Sequence, residues 1–160
     1  MFMEDIKLAN QLCFSVYNTS RLFTKFYQKA LEEFNLTYPQ YLVLLALWEE
    51  DHQTLHQIGR RLHLESNTLT PLLRRMEQAG WIIREKSPQD KRQLGIRLKD
   101  KGRDAKEPIQ QAIADCLGHE HLDISQYREA HETIVKLEET LRTALAEDTD
   151  KSKENFNGTI

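Results

Sequence analysis

The chain has 160 residues, 39% of them hydrophobic, enough for one globular domain with a real core and too few for two independent ones. Its 22 Lys+Arg and 25 Asp+Glu give a net charge of -3, so bulk charge points to neither nucleic acid nor a membrane surface. No window is apolar for long enough to span a bilayer, and the opening Met1-Phe2-Met3-Glu4-Asp5 is acidic where a signal peptide is basic, so a cytoplasmic protein is expected. Two cysteines far apart, Cys13 and Cys116, do not make a disulfide framework and leave room for thiol redox chemistry.

From about Asp5 to Phe34 there is no Gly or Pro, and Leu8, Leu12, Val16, Leu22, Phe23, Phe26 and Leu31 supply the apolar positions of a long first helix. Asn35-Leu36 breaks it. Thr37-Tyr38-Pro39-Gln40 then reads as a capping box with Pro in the first turn, opening a largely buried helix that runs through Leu47-Trp48.

Between Leu55 and Met76 two short apolar periodicities flank a polar break. Ile58, Leu62, Leu69, Leu72, Leu73 and Met76 can pack together while Ser66, Asn67, Thr68 and Thr70 stay outward, the pattern of a helix-turn-helix whose second helix suits a DNA major groove. Trp81 to Lys86 and Arg92 to Leu98 are strand candidates joined by the turn-rich Ser87-Pro88-Gln89-Asp90, a β-hairpin wing.

The C-terminal third is helical again. Pro108 lies near the start of one helix and Gly118 closes it; Asp123 can cap the next, on which Tyr127, Ala130, Ile134, Leu137, Leu141 and Leu145 recur every three or four residues. That stripe needs a partner, and two long terminal helices flanking a small lobe fit a dimer interface. The expected organisation is one domain over 1–146, with dimerisation helices at about 5–36 and 100–146 around a winged lobe at about 37–99, and a disordered polar tail over 147–160. The fold class is mainly α with a small β-hairpin wing.

Charge supports the same reading independently. Leu55 to Lys106 holds 13 Lys+Arg against 6 Asp+Glu, net +7, leaving 9 against 19, net -10, for the rest. A basic segment in an acidic chain is the footprint of a DNA-binding lobe. Ser66, Asn67, Thr68 and Thr70 are the candidates for base and phosphate contact at the start of the recognition helix, with Arg74 and Arg75 one turn later. Arg92 near the wing tip suits a narrow minor groove, and Asp90 suits a salt bridge that orients the wing.

Cys116-x-x-His119-Glu120-His121 with Asp123 offers metal-ligand chemistry, yet its spacing is not a zinc pattern, and neither metal nor cofactor is expected. The chain also lacks an acid, base or cofactor motif to accompany Cys13 in a thiol peroxidase, so it is not expected to be an enzyme. A pure protein-interaction winged helix would leave the basic segment unexplained.

These residues resemble the MarR family of winged helix-turn-helix regulators, with Asp90-Lys91-Arg92 matching its Asp-x-Arg wing signature. Leu12-Cys13-Phe14-Ser15-Val16-Tyr17, then Tyr27 and Leu36-Thr37-Tyr38-Pro39-Gln40-Tyr41, are similar to the OhrR-like branch that senses organic hydroperoxides. The resemblance implies a homodimeric repressor on a pseudo-palindromic operator of double-stranded DNA. In it, Cys13 is the reactive thiolate, Tyr27 and Tyr38 hydrogen-bond the partner's sulfur, and Tyr17 lies near the pocket. It implies that Cys116 either resolves oxidised Cys13 into an intersubunit disulfide or is inert. A MarR-type regulator that binds a small aromatic ligand, with Cys13 as a packing residue, shares every DNA feature and stays open.

Overall fold

Thr54 caps the first of the two short helices, α3 (Leu55–Leu62), by a reciprocal pair: its Oγ1 accepts from the Gln57 N–H at 3.2 Å, and Gln57 Oε1 accepts from the Thr54 N–H at 2.7 Å. His63 ends α3 in the left-handed region at φ 53°, where the Leu64 N–H returns to the Gly59 carbonyl at 2.9 Å. The tight turn needs Gly59, since a Cβ there would lie 2.9 Å from the Leu64 carbonyl oxygen. The second helix, α4 (Ser66–Gln78), buries Leu69, Leu72, Leu73 and Met76, the residues its periodicity selects. The computed structural model that shows this describes residues 7–8, 11–86, 94–118 and 123–157.

α1 (Leu12–Leu31) is shorter than the sequence suggests and passes into a 3-10 turn, Glu32–Phe34, which Asn35 closes at φ 53°. α2 (Tyr38–Glu49) starts at the expected box, with Gln40 Oε1 accepting from the Thr37 N–H at 2.8 Å. Five of its residues, Tyr41, Val43, Leu44, Ala46 and Leu47, are buried. The wing strands β2 (Ile82–Lys86) and β3 (Leu94–Leu98) pair antiparallel from Ile82 opposite Leu98 to Lys86 opposite Leu94. A third strand, β1 (Gln53–Thr54), joins β3 on its other edge, so the sheet order is β1-β3-β2. The wing turn at 87–93, with Asp90 and Arg92, lies outside the described residues.

α5 (Asp100–Asp104) and α6 (Lys106–Gly118) follow, and Gly102, Ile109 and Ile113 are buried in the same core as Leu31, Leu44, Ile58, Leu73 and Ile96. Ile109 and Ile113 are i, i+4 neighbours, so one face of α6 closes over that core. Gly102 is required by close approach: a Cβ would stand 2.5 Å from the Trp81 carbonyl oxygen. Gly102→Ala is therefore expected to lower stability by about 1–3 kcal/mol, read by urea melting.

The chain divides into two compact units, Met1–Leu117 and Gly118–Ile160, where one domain over 1–146 was expected. The described part of the second is dominated by a single helix, α7 (Ile124–Asn157), whose start Asp123 caps with its Oδ1 on the Ser125 N–H at 2.8 Å. α7 contains no Gly or Pro.

Candidate functional site

Two surfaces carry the residues singled out by sequence. The first is the exposed face of α4. Ser66, Asn67 and Thr68 are exposed at its first turn and Thr70 is half-buried, while Arg74 and Arg75 are exposed a turn further on. The Thr68 and Leu69 N–H groups bond the Glu65 carbonyl at 3.0 and 2.9 Å, which leaves the Ser66 and Asn67 amides at the positive end of the helix. Pro71 has no N–H, so no backbone bond from residue 71 occupies the Asn67 carbonyl. Hydroxyls, amides and a carbonyl thus share one turn, the inventory needed for base edges and phosphates.

Much of the positive charge counted in the sequence is structural. Arg61 pairs with Glu49, Arg97 with Glu85 and Arg103 with Asp100 and Asp51. Arg75 Nε turns back to the Pro71 carbonyl at 3.3 Å. Arg74 has no hydrogen-bond or ion-pair partner among the described residues, and Arg75 keeps its terminal guanidinium nitrogens, so both α4 cations are available to a phosphate, Arg74 without breaking any bond.

α4 and β2 are clamped together. Glu77 on α4 accepts from the Arg84 backbone N–H at 3.0 Å and from Arg84 Nε and a terminal guanidinium nitrogen at 2.9 and 2.6 Å. These bonds hold the Glu77 carboxyl below its ordinary range. A lowered folded-state pKa contributes stability above the unfolded value and loses it as pH falls through the folded one. Glu77→Gln should cost roughly 1 kcal/mol at neutral pH. The gap to wild type should close on acidification below about pH 4, the usual titration range of Glu. Urea melts of both proteins across that range check it.

The second surface is the thiol end. Cys13 is exposed on α1, one turn before Tyr17, whose ring lies 5.6 Å from the Arg21 guanidinium carbon. Leu12, Val16, Tyr17 and Leu22 are 60%, 37%, 59% and 66% exposed, so this stretch of helix presents apolar surface with nothing over it. Tyr27 and Tyr38 are brought together, ring centroids 5.0 Å apart, and both adjoin the buried Tyr41 at 6.0 and 6.3 Å. Burial pushes the Tyr41 phenol up, so it stays neutral.

The tyrosine pair is not brought to its own Cys13. Fourteen residues of continuous helix put Tyr27 about 21 Å along α1 from Cys13. Cys116 is half-buried near the end of α6, against the core. Among the described residues no group of three or more His, Cys, Asp or Glu could hold a metal, and His119, Glu120 and His121 lie outside them. No described helix is long and apolar enough to cross a membrane. Sequence reasoning did not mark Tyr41, Trp48 and α5 as a connected set; their proximity arises only when α2 packs between α1 and the sheet.

Residues 36–94 match the MarR family. Over 138 residues the chain is 41% identical to the organic hydroperoxide resistance transcriptional regulator of Bacillus subtilis, spanning 86% of this chain and 94% of that protein. It is also similar to AbfR, a protein of Staphylococcus epidermidis. Reduced AbfR bound to DNA aligns with TM-score 0.82 at 51% identity, over 91% of this chain and 99% of that one. Overoxidised AbfR bound to DNA aligns with 0.76 at 52%, over 86% and 95%, and disulfide-formed AbfR with 0.62 at 53%, over 86% and 92%.

Proposed function

Because the chain belongs to the MarR family of DNA-binding transcriptional regulators, we propose that it is a homodimeric repressor released from its operator when an organic hydroperoxide oxidises Cys13. The carrying observation is the split thiol site: Cys13 stands exposed on an uncovered apolar helix, about 21 Å of helix from the tyrosine pair that would serve it. A second copy, docked through α1 and through the exposed Tyr127, Ile134, Val135, Leu141 and Leu145 of α7, completes that site and buries both stripes. Alkyl or aryl hydroperoxides suit this apolar setting better than hydrogen peroxide.

The Cys13 thiolate attacks the O–O bond of the peroxide. It takes the distal oxygen to become a sulfenic acid, and the alkoxide leaves as an alcohol after picking up a proton. The Cys116 thiol of the second subunit then attacks the sulfenic sulfur, forming a disulfide and expelling water. Release is assigned to the disulfide and not to added oxygen alone, since overoxidised AbfR is bound to DNA. Drawing α6 of one subunit toward α1 of the other displaces lobes that must be spaced for successive major grooves.

Footprinting on the DNA upstream of the chain's own gene tests this. Reduced protein should protect a pseudo-palindrome with half-sites about one helical turn apart, and the protection should vanish after one equivalent of cumene hydroperoxide. Protection that persists with Cys13 oxidised to the disulfide would overturn the reading.

A further inference from the structure

Neither the thiol chemistry nor the DNA contacts account for a line of directed contacts that joins them inside the first unit. It starts at the Tyr27 and Tyr38 pair, passes to Tyr41, and continues to Trp48, whose ring stands edge-on to Tyr41 at 6.2 Å. Trp48 Nε1–H donates to the Gly102 carbonyl of α5 at 2.8 Å, across 54 residues of sequence. The neighbouring Lys101 faces the DNA-reading elements: its Nζ donates to the carbonyl of Ala79, the C-cap of α4, at 2.8 Å and lies 4.1 Å from the centre of the Trp81 ring. The Trp81 carbonyl, just before β2, accepts from the Lys99 N–H at 3.0 Å.

One five-residue helix is therefore fastened to the sensor helix α2 on one side. On the other it holds both the end of the recognition helix and the root of the wing. The fastening has no slack, because Gly102 sits so close to the Trp81 carbonyl that a methyl group would meet it at 2.5 Å. A displacement of α2 must shift α5 with it or break the Trp48 bond and strand a carbonyl. We propose that Trp48, acting through α5, is the positioning residue that couples the thiol site to the recognition helix and wing. The proposal rests on the redox reading above. Trp48 touches neither peroxide nor DNA.

The test is the ratio of DNA affinities before and after one equivalent of cumene hydroperoxide, by fluorescence anisotropy. It is measured for wild type, Trp48→Phe, Tyr41→Leu and Tyr41→Phe as full-length proteins. Wild type should weaken roughly 10- to 100-fold on oxidation. Trp48→Phe keeps an aromatic face but loses the N–H, and Tyr41→Leu removes the ring between the tyrosine pair and Trp48. Both should bind as wild type does when reduced, within about threefold, yet show a release ratio cut by roughly 3- to 30-fold. Tyr41→Phe keeps the ring and should respond as wild type does. Tyr41→Leu stands in for Trp48→Phe if the latter does not bind DNA when reduced, and the reverse. Variants that bind normally and release as fully as wild type would overturn the coupling. A wild type that peroxide does not release would instead bring down the redox reading itself, and the coupling with it.

Discussion

The Cys13→Ser protein should remain on its operator after treatment with organic hydroperoxide, while the wild type loses roughly 10- to 100-fold in affinity under the same conditions. A serine hydroxyl is close in size to the thiol, but it does not attack an O–O bond and forms no disulfide. Because Cys13 is exposed and sits in no packed core, the substitution should leave the fold and the reduced-state affinity intact. The small-ligand alternative predicts the reverse pattern: wild type and Cys13→Ser behave alike with peroxide, and both respond to an aromatic acid. Cys116→Ser separates the two chemical steps. On the proposed disulfide mechanism it should still consume one equivalent of peroxide at Cys13 yet stay on DNA. Anisotropy titrations of the three proteins, reduced and oxidised, give all of these results.

The second large effect belongs to Arg74. It is exposed on the reading face of α4 with no partner among the described residues, whereas Arg61, Arg84, Arg97 and Arg103 are committed to carboxylates. Removing one phosphate contact per subunit removes two per dimer. Arg74→Ala should therefore flatten the slope of log affinity against log salt by about 2, at ~0.9 per phosphate. Arg74→Glu adds repulsion and should abolish measurable binding near physiological salt. Arg61→Ala, by contrast, should change the salt slope little and act through stability, because its guanidinium bonds the Ala46 carbonyl at 3.1 Å and the Glu49 carboxylate. Equal slopes for Arg74→Ala and wild type would show that the reading face is elsewhere.

Much of this was legible in the chain because local signals and tertiary packing agree. Thr37 and Gln40 open α2 as their spacing requires, and of the apolar set from Ile58 to Met76 α3 and α4 bury all but the half-buried Leu62. The elements that escaped are those without a local signal. β1 has two residues, and Gln53 is held in it by a side-chain bond from Nε2 to the Ala46 carbonyl at 2.7 Å. α5 reads Asp100-Lys101-Gly102-Arg103-Asp104, with no apolar residue and a glycine at its centre; bonds to Trp48, Ala79 and the Leu98 carbonyl and the Arg103–Asp51 ion pair hold it in place.

The candidate site shows the same division. Cys13, Tyr27 and Tyr38 were marked by resemblance to a family, and the structure puts the two phenols side by side. The continuous helix from Leu12 to Leu31 separates the thiol from its own chain's tyrosines, as their fourteen-residue spacing on a helix implies, which is the ground for proposing a site shared with a second copy. Trp48 gave no motif, since its role depends on a carbonyl 54 residues away.

The central claim, that the state of Cys13 decides whether DNA is held, is tested most directly by reading both quantities in one sample. Operator-bound protein is titrated with substoichiometric cumene hydroperoxide, the bound fraction is followed by anisotropy, and aliquots are quenched for mass spectrometry of the Cys13 peptide. The fraction of DNA released should rise in step with the fraction of Cys13 linked to Cys116 across subunits. Release while Cys13 remains a free thiol, or retention once the disulfide is complete, would contradict the account.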